Sequence, residues 1–299
     1  MGKVGVLIEQ GKEGMRPGGA MVAGSVAVLV TLLGTLYYAI LYKMGVQWYD
    51  DPDYSHGFLV PFMAAYFVWE RRERLLAIPV QPSLAGIGLL GVGLVMLIIG
   101  SIGAELYLQR TSLIVVLAGL VLLILGRESL RLLVFPIVFL LFMVPLPAIV
   151  VSLVSFPLQM IAANTATYCL DNFGIPVLQE GNVIILAGTK LEVAEACSGI
   201  RSLQALLALG TVYAYFSQHV RWKQWVLVLL SIPIAIVANA FRVTGTGFLA
   251  HYWGIEAAEG FYHTFAGLLL FAVALVLLLA SGALLSLVVK DRPSEGRTA

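Results

Sequence analysis

Three short runs of this chain carry side chains able to make and break bonds. The first holds Glu192, Glu195, Cys197, Ser198, Gly199, Arg201 and Ser202. A cysteine becomes a nucleophile when its thiolate is stabilised by a cation or by the positive end of a helix. The sequence passes here from strand-like to helical, so Cys197 is expected in the first turn of a helix. Arg201, four residues on, then shares its face. The plainer alternative makes Cys197 a small buried hydrophobe and Ser198 the helix cap. The second run, Asn239-Ala240-Phe241-Arg242 followed by Thr246, places three polar residues on one stripe of a helix. Arg242 is expected at the outer end of a span, where snorkelling to lipid headgroups is the competing explanation, but that gives Asn239 no role. The third run is Glu256 through Gly267. In it His263 opens the last apolar segment, and Glu259 stands four residues before it, able to orient the ring or stabilise its charged form. Gly267 lets a neighbouring helix come close. A lone interfacial histidine is the alternative there. His251, read as lying in a loop beside Tyr252 and Trp253, is a weaker competitor.

A thiolate, a fixed cation and an imidazole are together the parts for cysteine acyl transfer. The sulfur attacks a carbonyl, the imidazole handles the leaving amine's proton, and the guanidinium holds the developing oxyanion. Arginine does not titrate and donates in a fixed fork, which suits it to the electrostatic part better than lysine. The spacing leaves open which of Arg242 and His263 performs which step.

These residues need a scaffold, and the composition says which kind. Of 299 residues 60% are hydrophobic and only 12% charged, with a mean hydropathy of +0.94. A soluble domain is about 25% charged, so part of this surface must face lipid. The apolar runs recur throughout, which indicates one integral membrane domain over residues 1–299. A net charge of +1 with scattered basic residues argues against a nucleic-acid partner. The two cysteines, Cys169 and Cys197, make no disulfide framework or metal-ligand spacing with histidine, so no metal or cofactor is expected. If both lie outside, they could pair, and that would silence Cys197.

The expected fold class is an all-α multi-pass membrane protein of about eight transmembrane helices. Spans of about 20 apolar residues are expected at 20–42, 54–70, 84–103, 111–126, 130–144, 199–218, 224–244 and 264–289. Residues 126–129 make a tight polar turn between two of them. Of the 18 Lys and Arg, 13 fall on one side when both termini are cytoplasmic, and the positive-inside rule selects that orientation. Lys43, Arg110, Lys190, Arg201 and Arg242 are then outside. This requires residues 148–170, polar at Ser152, Ser155, Gln159, Asn164 and Thr165, to form an interfacial or re-entrant helix on the outer face. Residues 175–193 read as strands broken at Glu180-Gly181-Asn182 and Ala187-Gly188-Thr189, a small β-meander before Cys197. Unpaired sheet edges cannot face hydrocarbon, so the meander is expected outside. One topology thus puts Cys197, Arg242 and His263 at the same outer level.

At these residues the sequence resembles the exosortases, within the exosortase and archaeosortase family of membrane cysteine transpeptidases. The motifs that carry the resemblance are Tyr54-Ser55-His56-Gly57 with Val60-Pro61, Val144-Pro145-Leu146-Pro147, Ala196 to Ser202, Asn239 to Arg242, and His263 to Gly267. The resemblance implies a bacterial inner-membrane enzyme with its site on the periplasmic face. Its partners would be single-span proteins whose C-terminal tail carries a Pro-Glu-Pro type motif, a transmembrane helix and a basic cluster. The new C-terminus would pass through a thioacyl intermediate to an amine or hydroxyl acceptor, for which an envelope glycan or lipid is a candidate. It implies Cys197 as nucleophile with Arg242 and His263 completing the site. Ser198, Arg201, Asn239, Glu259 and His56 are its supporting residues. Two other classes compete: a small-solute transporter, disfavoured by the absence of an internal repeat, and a structural subunit of a polysaccharide export system.

Overall fold

The computed structural model describes residues 19–193, 199–254, 256 and 261–288, with the side chains at 19–23, 25, 26, 52, 53, 201, 261–264, 266 and 288 outside that description. The chain divides into two compact units, one from Met1–Asp51 and Arg71–Ile137, the other from Pro52–Glu70 and Val138–Ala299. It is mostly helical. Among the described residues six segments are long and apolar enough to cross a membrane: Ala27–Asp50, Ala85–Ile102, Leu106–Ile124, Ala148–Asn172, Arg221–Trp253 and Gly267–Leu287.

In the first unit, helix α1 (Gly19–Asp50) precedes a hairpin of α4 (Ala85–Ile102) and α5 (Leu106–Ile124). Gly86, Gly93 and Gly100 recur every seven residues along one face of α4 and seat it on α5. A Cβ on Gly93 would lie 2.6 Å from Val116 Cγ2, and one on Gly100 2.9 Å from the Gln109 nitrogen. Small residues at such spacing let two backbones approach closely, so that van der Waals contact holds the pair where water gives no hydrophobic drive. Glu105 caps α5 by accepting from the Leu108 N–H at 2.6 Å. Arg110, expected in an outer loop, instead lies inside α5, because the helix begins at Leu106 and not at Thr111. It is 5% exposed and donates to Gln47 Oε1 at 2.8 Å. Tyr37 and Ser112 share a buried hydrogen bond of 2.9 Å. The turn expected at 126–129 shrinks to Gly126, since Arg127 already starts helix α6 (Arg127–Phe139).

In the second unit, a 3₁₀ helix (Pro52–Phe58) leads into α2 (Leu59–Glu70). The short helix α3 (Arg72–Ala77) that follows belongs to the first unit. At 12 residues α2 rises about 18 Å, short of the roughly 30 Å that hydrocarbon requires. The expected span 54–70 is therefore not one long helix. Nor is 130–144, which α6 and a 3₁₀ turn (Leu140–Met143) divide. Helix α7 (Ala148–Asn172) departs from expectation in the other direction: it is continuous over 25 residues and has the length and composition of a span. Its polar residues do not weaken it, because Ser152 and Thr165 turn their hydroxyls to the carbonyls of Ala148 and Ile161 at 3.0 and 2.7 Å.

A three-stranded antiparallel sheet follows, in the order β1 (Val177–Glu180), β2 (Val183–Leu186), β3 (Thr189–Glu192). Gly181 supplies the positive φ (62°) at the first position of the two-residue β1–β2 loop. Ile184, Leu186, Leu191 and Val193 bury one face of the sheet against Ala163, Ala166 and Leu170 of α7 and against Val243 and Ala250 of a long helix, α9 (Arg221–Trp253). That burial explains why α9 continues to Trp253, although its sequence suggests an end at Thr244. His251 and Tyr252, expected in a loop, fall in its last turn. Between sheet and α9 lies α8 (Ile200–Ser217), and α10 (Phe261–Val288) ends the described chain. Leu206 and Ala214 of α8, Leu227 and Ala235 of α9, and Ala274 and Leu278 of α10 form one apolar core.

Candidate active site

The register of α8 against α10 fixes what meets at their N-terminal ends. Tyr213 Oη donates to the Leu279 carbonyl at 3.0 Å, 66 residues away. Gln218 Nε2 donates to the Gly282 carbonyl and to Ser286 Oγ, 64 and 68 residues away. Both helices therefore ascend together. The same offset sets Gly199, at the start of α8, level with Gly267, one turn beyond His263 in α10. Helix α9 runs the opposite way between them, since Gly210 packs on Ser231 while Gly199 packs on Asn239.

At that level α9 presents Asn239 and Arg242. Asn239 is 6% exposed, and a Cβ on Gly199 would lie 2.8–3.0 Å from its Cγ, Cβ and Nδ2. Gly199 caps α8 with φ of 80°, a left-handed conformation that only glycine adopts without cost. Both reasons for glycine thus coincide: the backbone turn and the approach of the Asn239 amide. Arg242 Nη1 lies 3.8 Å from the Cβ position of Gly267, so the guanidinium rests on the helix that carries His263. Its Nε and the Asn239 Oδ1 are both buried. Leu158, Gly199, Leu203, Ala235, Ile236 and Asn239 line a small pocket here. The positive dipole end of α8 lies at the same level and adds to the arginine's charge.

Several expectations change. Helix α8 begins at Ile200 with Gly199 as its N-cap. Cys197 stands two residues before that cap in the sequence and lies outside the described residues. Arg242 is not at a helix end, since α9 continues for eleven residues beyond it. Snorkelling from a terminus thus loses its premise. Thr246, on the same stripe, spends its hydroxyl on the Arg242 carbonyl at 2.9 Å. His56 is half-buried on the 3₁₀ helix, which packs against α8, and is not among the described residues lining the pocket. His251 stacks edge-on against Tyr252 at 4.8 Å. Cys169 is a free, half-buried thiol on α7. Cys197, Ser198 and Glu259 lie outside the described residues, as do the side chains of Arg201 and His263.

Residues 48–280 match the family model described as transmembrane exosortase. The chain belongs to that family. The match covers the 3₁₀ helix with His56, the Pro-rich turn before α7, Cys197, the Asn239–Arg242 stretch and the start of α10 with His263. No curated protein and no solved structure matches this exosortase. Asn182 and Gln159, which the sequence offers only as a turn residue and a polar residue of 148–170, meet in the structure. Asn182 Nδ2 donates to the Val193 carbonyl at 3.2 Å and to Gln159 Oε1 at 3.3 Å. In the sequence Asn182 signals only a turn.

Proposed function

We propose that this exosortase is a membrane cysteine transpeptidase in which Cys197, Arg242 and His263 carry the reaction. The observation that bears most weight is the shared level of Gly199 and Gly267, bridged by Asn239 and Arg242 of one helix. Gly199 follows Cys197 by two residues, and adjacent α-carbons are about 3.8 Å apart. Bond geometry therefore holds the Cys197 α-carbon within about 7.6 Å of the glycine that touches Asn239. His263 precedes Gly267 by one turn of the same helix.

In this reading the Arg242 charge and the positive dipole end of α8 hold Cys197 as thiolate. The thiolate attacks a peptide carbonyl, and the oxyanion that forms is held by the Arg242 guanidinium, which never gives up its proton. His263 delivers a proton to the departing amine as the C–N bond breaks, leaving a thioester on Cys197. An amine or hydroxyl acceptor then attacks the thioester and loses its proton to His263. The acyl group leaves with the acceptor and the thiolate is restored. Ser198, Arg201, Glu259 and His56 support this centre. The family resemblance supplies the substrate class: bacterial single-span proteins bearing a Pro-Glu-Pro type motif, a transmembrane helix and a basic cluster. Such a tail meets its enzyme inside the inner membrane, and its motif emerges on the periplasmic side. An enzyme embedded in lipid, with polar groups gathered at the level where α8 begins, suits that encounter.

The test is mass spectrometry of the C-terminus of a co-expressed tail-bearing substrate. Wild-type enzyme should yield a shortened chain joined to an acceptor, and Cys197→Ala should leave the tail intact. Normal processing by Cys197→Ala would end the proposal.

A further inference from the structure

The described residues on either side of the Cys197 stretch, Val193 and Gly199, each meet an asparagine, and only the later one, Asn239, belongs to a family motif. At Gly199 the anchor is Asn239. At Val193, the residue following β3, it is Asn182 from the β1–β2 loop. The Val193 N–H donates to the Asn182 carbonyl at 2.9 Å, and Asn182 Nδ2 donates back to the Val193 carbonyl at 3.2 Å. The side-chain amide thereby takes the part that a backbone N–H plays in an ordinary antiparallel pair. It extends the β2–β3 ladder, whose last pair is Val183 with Glu192, by one step. The same Nδ2 reaches Gln159 Oε1 at 3.3 Å on α7, where Gln159 is 6% exposed. Val193 itself is 1% exposed and lies in the apolar core shared by the sheet, α7 and α9. The exit of β3 is thus tied to α7 and to the sheet by polar contacts no hydrophobic residue could make.

We infer that Asn182 is a positioning residue for the transfer reaction: it fixes the chain at Val193 so that Cys197, four residues later, is presented to Arg242 and His263. This inference rests on the proposed role of Cys197. Asn182 touches no reacting atom. It acts through the backbone, as a second anchor opposite Asn239, and a nucleophile misplaced by about 1 Å loses much of its rate.

Asn182→Asp keeps the size and the acceptor but removes the donor, and sets a carboxylate oxygen against the Val193 carbonyl. The variant is made in the full-length Cys169→Ala protein, in membranes, so that Cys197 is the one thiol. Two quantities are read: processing of a tail-bearing substrate, as kcat and KM, and the pH profile of Cys197 alkylation by iodoacetamide. Loss of one such hydrogen bond corresponds to about tenfold in rate. We expect kcat to fall about tenfold with KM within about twofold, and the alkylation profile to shift. Asn182→Ala should do the same, and Asn182→Ser, which restores a donor, should recover part of the rate. Unchanged kcat and alkylation in Asn182→Asp overturn the inference. So does a loss of activity with an unaltered alkylation profile, or one explained by a lower amount of folded protein in the membrane. In each of these cases an inactive Cys197→Ala control leaves the transpeptidase reading intact. An active control removes that reading instead, and this inference with it.

Discussion

Arg110 and Arg242 each sit inside an apolar helix, and their surroundings differ between the two units. Arg110, in the first unit, is almost fully enclosed and bonded to Gln47 at 2.8 Å. It lies beside a helix pair whose glycines Gly86, Gly93 and Gly100 only bring backbones together. Arg242, in the second unit, is half-buried, and the glycine beneath it is on the helix of a candidate catalytic histidine. An ionisable residue within a membrane costs about 2.5–3.5 kcal/mol on insertion scales, so each needs compensation. The first finds it in a structural hydrogen bond. The second lies level with the positive dipole end of α8, with a buried asparagine one turn away. Charge inside a membrane protein is thus not evidence of a site by itself; what surrounds the charge decides.

The comparison can be broken most directly at Arg242. Arg242→Lys keeps the charge and loses the fork, so processing should fall about 100-fold, the scale of removing one oxyanion donor. Processing near the wild-type rate would return Arg242 to a structural role like that of Arg110. Next in size is Gly199→Ala, which meets both the left-handed φ and the Asn239 side chain. Left-handed strain of about 1–2 kcal/mol alone corresponds to about tenfold, so substrate turnover per folded enzyme should drop by at least that factor. Unaltered turnover would mean that Gly199 and Asn239 do not place the nucleophile. Gly93→Leu should instead act on the α4–α5 seam. Overpacking there costs about 1–3 kcal/mol, visible as a lower unfolding midpoint in detergent while the surviving folded protein turns over normally. A turnover defect in that folded fraction would erase the distinction drawn between the units. The smallest effect belongs to Arg110→Lys, where a lysine still donates to Gln47. About 1 kcal/mol of stability should go, and tail processing should be unchanged.

How much of this was legible beforehand differs by element. The strand breaks were, because Gly181 and Gly188 supply positive φ at both loops between short β-rich runs. So were the long spans at 84–103 and 264–289, where apolar composition leaves little else. The ends of helices were not. Thr111 and Thr244 look like boundaries, yet α5 starts five residues earlier, at Leu106, and α9 runs nine further, to Trp253. The polar residues in question are satisfied locally or by a neighbour: Thr246 by the Arg242 carbonyl and Arg110 by Gln47. Residues 148–170 are a related case: their polarity reads as interfacial, and they form one continuous helix of span length in which Ser152 and Thr165 bond within the helix, while Gln159 and Asn164 accept from Asn182 of the β1–β2 loop and Gln179 of β1.

The one-dimensional pattern alone determined that this is a multi-pass membrane protein, because 60% apolar residues in recurring runs leave no soluble alternative. It also named Asn239 and Arg242 as residues without an easy place in lipid, and Gly267 as a point where a neighbouring helix can come close. Only tertiary structure decided which of these face each other, since a helix offers several faces and its sequence does not say which neighbour each will meet. The parallel register of α8 and α10, with α9 reversed between them, made that choice. It set Asn239 on Gly199 and Arg242 on Gly267, and it turned Asn182 from a loop residue into an anchor at Val193.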